Sequence, residues 1–174
     1  MKTVIKECKT YKFDELGEKG KENAINNLSD INVDYGWWQS TYEDAENIGI
    51  KITSFDLDRS RHAGGKFIED AEYTAHRIVD YHGPDCETHK TAKLYLEDRD
   101  KAIESAEKDE NGEFVDVYEL DNTLDGLEDE FLKSILEDYS IILQHEYEYL
   151  CSKESIIETI EANDYDFLEN GKLF

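Results

Sequence analysis

Three short stretches of the sequence hold side chains whose types and spacing could do chemistry. Asp56-Leu57-Asp58 sets two carboxylates on one side of an expected strand end, a pair that resembles the start of a magnesium-dependent phosphotransfer site. No glycine-rich phosphate loop follows, and Arg59 and Arg61 are close enough to neutralise the pair, so an acidic strand edge accounts for it equally well. His82, Cys86 and His89 fall within eight residues and offer ligands suited to a transition metal, but no fourth ligand is evident nearby. A turn carrying exposed histidines is the alternative. Asp121-Asn122-Thr123-Leu124-Asp125-Gly126 opens like a calcium loop, yet its twelfth position is Leu132 where a bidentate acid is required, which excludes an EF-hand. The reading is a protein that is not an enzyme, with no cofactor and no metal site. A divalent-metal enzyme resting on Asp56 and Asp58 stands as the most distant alternative.

The stronger signal is charge. The 174 residues carry 43 Asp and Glu against 19 Lys and Arg, a formal net charge of −24, while 39% of them are hydrophobic and eleven are Tyr. That apolar content can build a core, so the charge belongs to a folded surface and not to a disordered polyanion. Between Glu97 and Glu130 fifteen acids face only Arg99, Lys101 and Lys108, which puts half the net charge in 34 residues. Glu97, Asp98, Asp100, Glu104 and Glu107, then Glu119, Asp121, Asp125, Glu128, Asp129, Glu137 and Asp138, are the expected partner-binding residues. Few bases sit four positions away to offset them, so they do not read as a salt-bridged surface. Salt adaptation explains the balance poorly, because fifteen of the nineteen bases are Lys and the chain is rich in Ile, Asn and Tyr.

The elements that must position these groups read as α+β: a mainly helical single domain over 1–174, with a long C-terminal helix and a small antiparallel sheet drawn from both ends and the middle. Lobes over 1–85 and 86–174 are a possible subdivision. Alternation over Thr3 to Phe13 predicts a first strand, and Asp14 a cap for a helix running to Leu28. Trp37, Trp38, Tyr42, Ala45 and Ile48 recur at helical spacing as far as Gly49. Ile50 to Asp58 predicts a strand bulged near Thr53 and Ser54; Arg59 to Gly65 reads as a loop and Lys66 to Ile68 as its pairing strand. Helices are expected over Ala71 to Tyr81 and Thr88 to Glu107, split at the only proline, and Lys108 to Glu113 is a polar connection. From Asp116 or Val117 a helix of more than thirty residues is expected, with Leu120, Leu124, Leu127, Phe131, Ile135 and Ile142 on its apolar face and the acids opposite. A further helix over Glu154 to Glu161 follows, then a hairpin around Asn170-Gly171 with a type I′ turn.

Trp37 and Trp38 are adjacent, so on a helix they point about 100° apart, and core packing of both competes with one serving as a partner anchor. Cys8, Cys86 and Cys151 are odd in number and widely spaced, as expected of free thiols in a reducing compartment, with Cys8 and Cys151 read as buried small side chains. The Lys-bearing N-terminus lacks the apolar run of a signal peptide or membrane span, so a cytoplasmic protein without membrane contact is expected.

The segments TYKFDELGEKGKENAINNLSDINVDYGWW, STYEDAENIGIKITSFDLDR and IIETIEANDYDFLENGKLF resemble a group of small acidic proteins of phages, prophages and gut metagenomes, some labelled antitoxin-like. The resemblance spans most of the chain and brings no catalytic residues with it. It implies a bacterial-host setting and a kinship in character with phage inhibitors of restriction and CRISPR nucleases. The expected partner is thus a basic nucleic-acid-binding protein, a CRISPR effector nuclease above all, occluded by an acidic surface that imitates DNA; nucleic acid itself is not a partner. An antitoxin-like module that neutralises a basic toxin is the alternative.

Overall fold

A computed structural model describes residues 8–174 and has the expected α+β character. The chain forms two compact units, one of the residues up to Trp37 with His145–Phe174, the other of Trp38–Gln144. Position 85, the expected lobe boundary, falls inside the second unit.

In the second unit, α2 (Gln39–Asn47) ends before Gly49, whose φ of +98° turns the chain into β1 (Ile50–Asp56). β1 pairs antiparallel with β2 (His62–Phe67), and the register slips between Ile52 and Ser54, where the bulge was expected. The returning strand is longer than its alternation predicted: Gly64 and Gly65, read as loop, pair with Ser54 and Ile52. α3 (Ala71–Tyr81) has the expected bounds because Asp70 caps it, its carboxylate accepting from the backbone of Glu72 and Tyr73 at 3.0 and 3.2 Å. α4 (Glu87–Ser105) and α5 (Val117–Leu150) follow, α5 continuing into the first unit from His145.

Ile48, Ile50, Ile52, Ile78, Ala92, Phe131, Ile135 and Tyr139 form the core of this unit, with Tyr95 stacked on Phe131 at 4.4 Å between centroids. The apolar face of α5 departs from expectation. Ile142 is 40% exposed, and Tyr139 and Leu143 are buried instead. Phe131, Ile135, Tyr139 and Leu143 step by four, and each such step moves the buried stripe about 40° round a helix of 3.6 residues per turn. A polar network lies against this core: the Tyr139 hydroxyl donates to Asp44 at 2.8 Å, His82 Nε2 lies 3.7 Å from the same carboxylate oxygen, and His82 Nδ1 is 2.7 Å from Thr88 Oγ1.

In the first unit, a 3-10 turn at Phe13–Glu15 precedes α1 (Glu18–Asn27), and α6 (Lys153–Ala162) is capped by Ser152. Phe13, Leu16, Ala24, Ile156, Ile160 and Phe167 are its core. Several expectations are corrected here. The strand over Thr3 to Phe13 lies partly outside the described residues; in the described part only Tyr11 pairs, through a single bridge to Phe167. Asp14 belongs to the 3-10 turn, and Gly17 precedes α1. Among the described residues the terminal segments do not join the central sheet; Phe167 bridges Tyr11 and Leu173 within this unit. The turn around Asn170 is not type I′, which requires two positive φ angles: only Gly171 has one, +79°, and Leu168 pairs with Lys172 across a three-residue loop. A β-carbon at Gly171 would collide with the Gly20 carbonyl, and one at Gly20 would lie 2.9 Å from the Glu169 carbonyl, so α1 and this loop meet backbone to backbone.

Trp37 and Trp38 separate: Trp37 packs on Tyr147 in the first unit and Trp38 on Phe55 in the second, both half-buried. All three cysteines are free, but Cys8 is exposed and Cys151 half-buried, so neither is the core residue expected. Among the described residues no helix is long and apolar enough to cross a membrane.

Candidate partner-binding surface

The acidic residues ride on two antiparallel helices of the second unit. Thr91 of α4 meets Asp138 of α5, Tyr95 meets Phe131, and Ala102 and Ser105 share a cleft with Leu120 and Thr123, so position rises along one helix as it falls along the other. The connection between them is built, not slack. Lys108 bridges Phe114, and Asp109 accepts from the backbone of Asn111 and Glu113 at 2.8 and 2.9 Å across a turn closed at Gly112, whose φ is +83°. Those backbone donors hold the Asp109 carboxyl below its usual range. Asp116 then caps α5 by accepting from the Glu119 N–H at 2.9 Å.

On this scaffold the expected residues fall into two classes. Glu97, Asp100, Glu104, Glu107, Glu119, Asp121, Asp125 and Asp129 are exposed, and none has an ion-pair partner among the described residues. The other four are engaged. Asp98 pairs with Lys101 at 2.8 Å and Glu137 with Arg61 at 2.6 Å. Asp138, expected on the solvent side, is half-buried against α4, where it accepts from Thr91 Oγ1 at 2.6 Å and burial pushes its carboxyl up. Glu128 is also half-buried; burial first, then the neighbouring Asp70 and Asp125 carboxylates, raises it.

The densest open charge is more compact than the whole list. Between Lys108 and Lys133 stand Asp109, Glu110, Glu113, Asp116, Glu119, Asp121, Asp125, Glu128, Asp129 and Glu130, with no Lys, Arg or His among them. Spacing by four puts Asp121, Asp125 and Asp129 in one row of α5, and Glu119, Glu130 and Glu137 form another. Asp109, Glu110, Glu113, Asp116 and Glu130 belong to the fifteen acids counted between Glu97 and Glu130 but not to the expected partner-binding residues, although the gap between the two lysines marks them. Val115, Val117 and Tyr118 stand among these acids 58%, 55% and 78% exposed, and no periodicity marks them as surface.

The remaining candidates are committed elsewhere. Asp56 Oδ1 accepts from the Asp58 N–H at 2.8 Å, a local turn that ends β1. His82 belongs to the network with Asp44 and Thr88, His89 Nδ1 lies 3.0 Å from the His82 carbonyl, and Cys86 precedes α4 exposed. Among the described residues no three His, Cys, Asp or Glu side chains are placed to hold a metal ion. Comparisons with protein-family models, curated proteins and solved structures find no match to this chain.

Proposed function

We propose that this protein is a non-enzymatic inhibitor of the anti-defence type. Its acidic α4–α5 pair enters the basic nucleic-acid groove of a bacterial nuclease, a CRISPR effector, in the host cytoplasm and occludes it. The observation that carries the reading is the base-free stretch from Asp109 to Glu130 on a structured turn and helix. Glu119, Asp121, Asp125, Asp129 and Glu130 span about 16 Å of α5 at 1.5 Å per residue, a mean spacing of ~4 Å between successive charges. One strand of DNA presents about one per 3.4 Å, so the helix approaches the density of a single strand, and α4 alongside adds a second line of anions. The attraction would be largely electrostatic and would fall with salt.

The test is retention of the effector on this protein as bait, and inhibition of its cleavage, with and without competitor DNA. Reversing Asp121, Asp125, Asp129 and Glu130 to Lys removes four attractions and installs four repulsions. At about 0.5 kcal/mol for each change, the total is about 4 kcal/mol, or about a thousandfold in affinity. Glu119 is spared because it sits in the first turn, where a carboxylate favours the helix dipole. Inhibition that survives the fourfold reversal refutes the proposal. A single small basic partner indifferent to DNA would assign the surface to an antitoxin-like role.

A further inference from the structure

A cleft of about 310 Å³ opens between the end of α4 and the start of α5, with Ala102, Ala106, Val115 and Leu120 as the apolar residues of its lining. Glu107, Asp116 and Glu119 also line it, and none of the three is ion-paired among the described residues. We infer that this cleft is the docking point for one long cationic side chain, an arginine or lysine, projecting from a basic protein partner. The inference rests on the partner being a basic protein, as proposed above, and gives that surface a specific point of recognition.

Each alternative occupant meets a physical obstacle. An anion would face ten carboxylates without a compensating base between Lys108 and Lys133. A purely apolar side chain would bury the cleft carboxylates without a partner, which costs far more than the apolar contact returns. A divalent ion needs three oxygens converging, and no such group exists among the described residues. A long basic side chain suits both kinds of lining residue, its methylenes against Ala102, Ala106 and Leu120 and its charge among the carboxylates. The volume lies at the small end of ligand pockets, fitting a side chain better than a whole cofactor. Val115, Val117 and Tyr118, exposed around the start of α5, supply the apolar contact that a salt-screened ion pair lacks, and tyrosine is enriched at the centres of binding interfaces.

The probe is a hexa-arginine peptide titrated into the full chain at physiological salt, followed by methyl NMR. Saturable shifts concentrated on Ala102, Ala106, Val115 and Leu120 are expected. Ala102→Leu fills the cleft without changing charge and should weaken the peptide at least tenfold; Thr123→Leu, on the opposite wall, does the same from α5 if the first variant melts early. Shifts spread evenly along α4 and α5, with both variants binding as the parent does, overturn the cleft while leaving the polyanion reading intact. Absence of saturable binding overturns the cleft outright. Focused peptide binding in a protein that inhibits no nuclease keeps the cleft and removes only the proposed target.

Discussion

Replacing Asp125 with lysine should make this protein more stable while weakening its hold on a basic partner. Asp125 is exposed on α5 with Asp121 four residues before it and Asp129 four after. Like charges at that spacing destabilise a helix by about 0.2–0.5 kcal/mol per pair, and opposite charges stabilise it by as much. The substitution converts two repulsive pairs into attractive ones, a swing of about 1–2 kcal/mol, and lysine also has the better helix propensity. For a protein of this size that is a rise in melting temperature of about 3–6 °C. Urea denaturation at low ionic strength measures it, and much of the gain should vanish in concentrated salt, which screens exposed charges. Gly126→Ala, whose methyl would meet nothing within 4 Å, supplies a charge-neutral reference of about 1 kcal/mol. The carboxyl of Glu128, raised in part by Asp125, should move down in the lysine variant, which an NMR titration reads. A stability that is unchanged or lower would mean that repulsion along the Asp121, Asp125 and Asp129 row does not destabilise α5.

Two further outcomes follow from the packing. Gly171→Ala forces a side chain into positive φ and against the Gly20 carbonyl and Ala24 nitrogen, so a loss of about 3 kcal/mol is expected in the denaturation midpoint; a loss under about 1 kcal/mol would mean that the loop shifts without cost. Stability should also peak on the acid side of neutrality. Asp138 and Glu128, raised in the fold, take up protons before the unfolded chain does, so stability climbs as pH falls through their folded range. Asp44 is depressed by the His82 imidazole 3.7 Å away and, against burial, by the hydrogen bond from the Tyr139 hydroxyl, so its contribution is present above the ordinary carboxylate range and is lost as pH falls through its folded value. Asp138→Asn should flatten the rise and Asp44→Asn the fall, as measured by urea midpoints across pH.

Legibility tracked how local each determinant is. α3 could be read to the residue because Asp70 caps it and Ala71, Thr74, Ala75 and Ile78 bury at helical spacing. The bulge at Thr53 was equally local. Tyr139 was missed as core because its hydroxyl is satisfied by Asp44, 95 positions away, and Ile142 took its place in the pattern. Asp138 reads as surface from its charge; only Thr91 on α4 makes its half-buried position tolerable. The acidic stretch was visible in outline, but the cleft beneath it depends on how α4 ends against α5, which no spacing encodes.

The way the first unit is assembled bears on the order in which the protein can fold. Tyr11 bridges Phe167, Lys12 pairs with Asp164 and Asp166 at 3.0 and 3.1 Å, and α1 rests on the loop at Gly171, so this core joins segments separated by the whole of Trp38–Gln144. The second unit is contiguous and can condense once its own residues have left the ribosome, while the first must wait for His145–Phe174 to be synthesised. Contacts of such long sequence separation form slowly. In a refolding experiment, burial of Tyr95 against Phe131 should therefore precede closure of Phe13 onto Phe167, leaving the acidic helices in place while the chain's two distant segments are still unjoined.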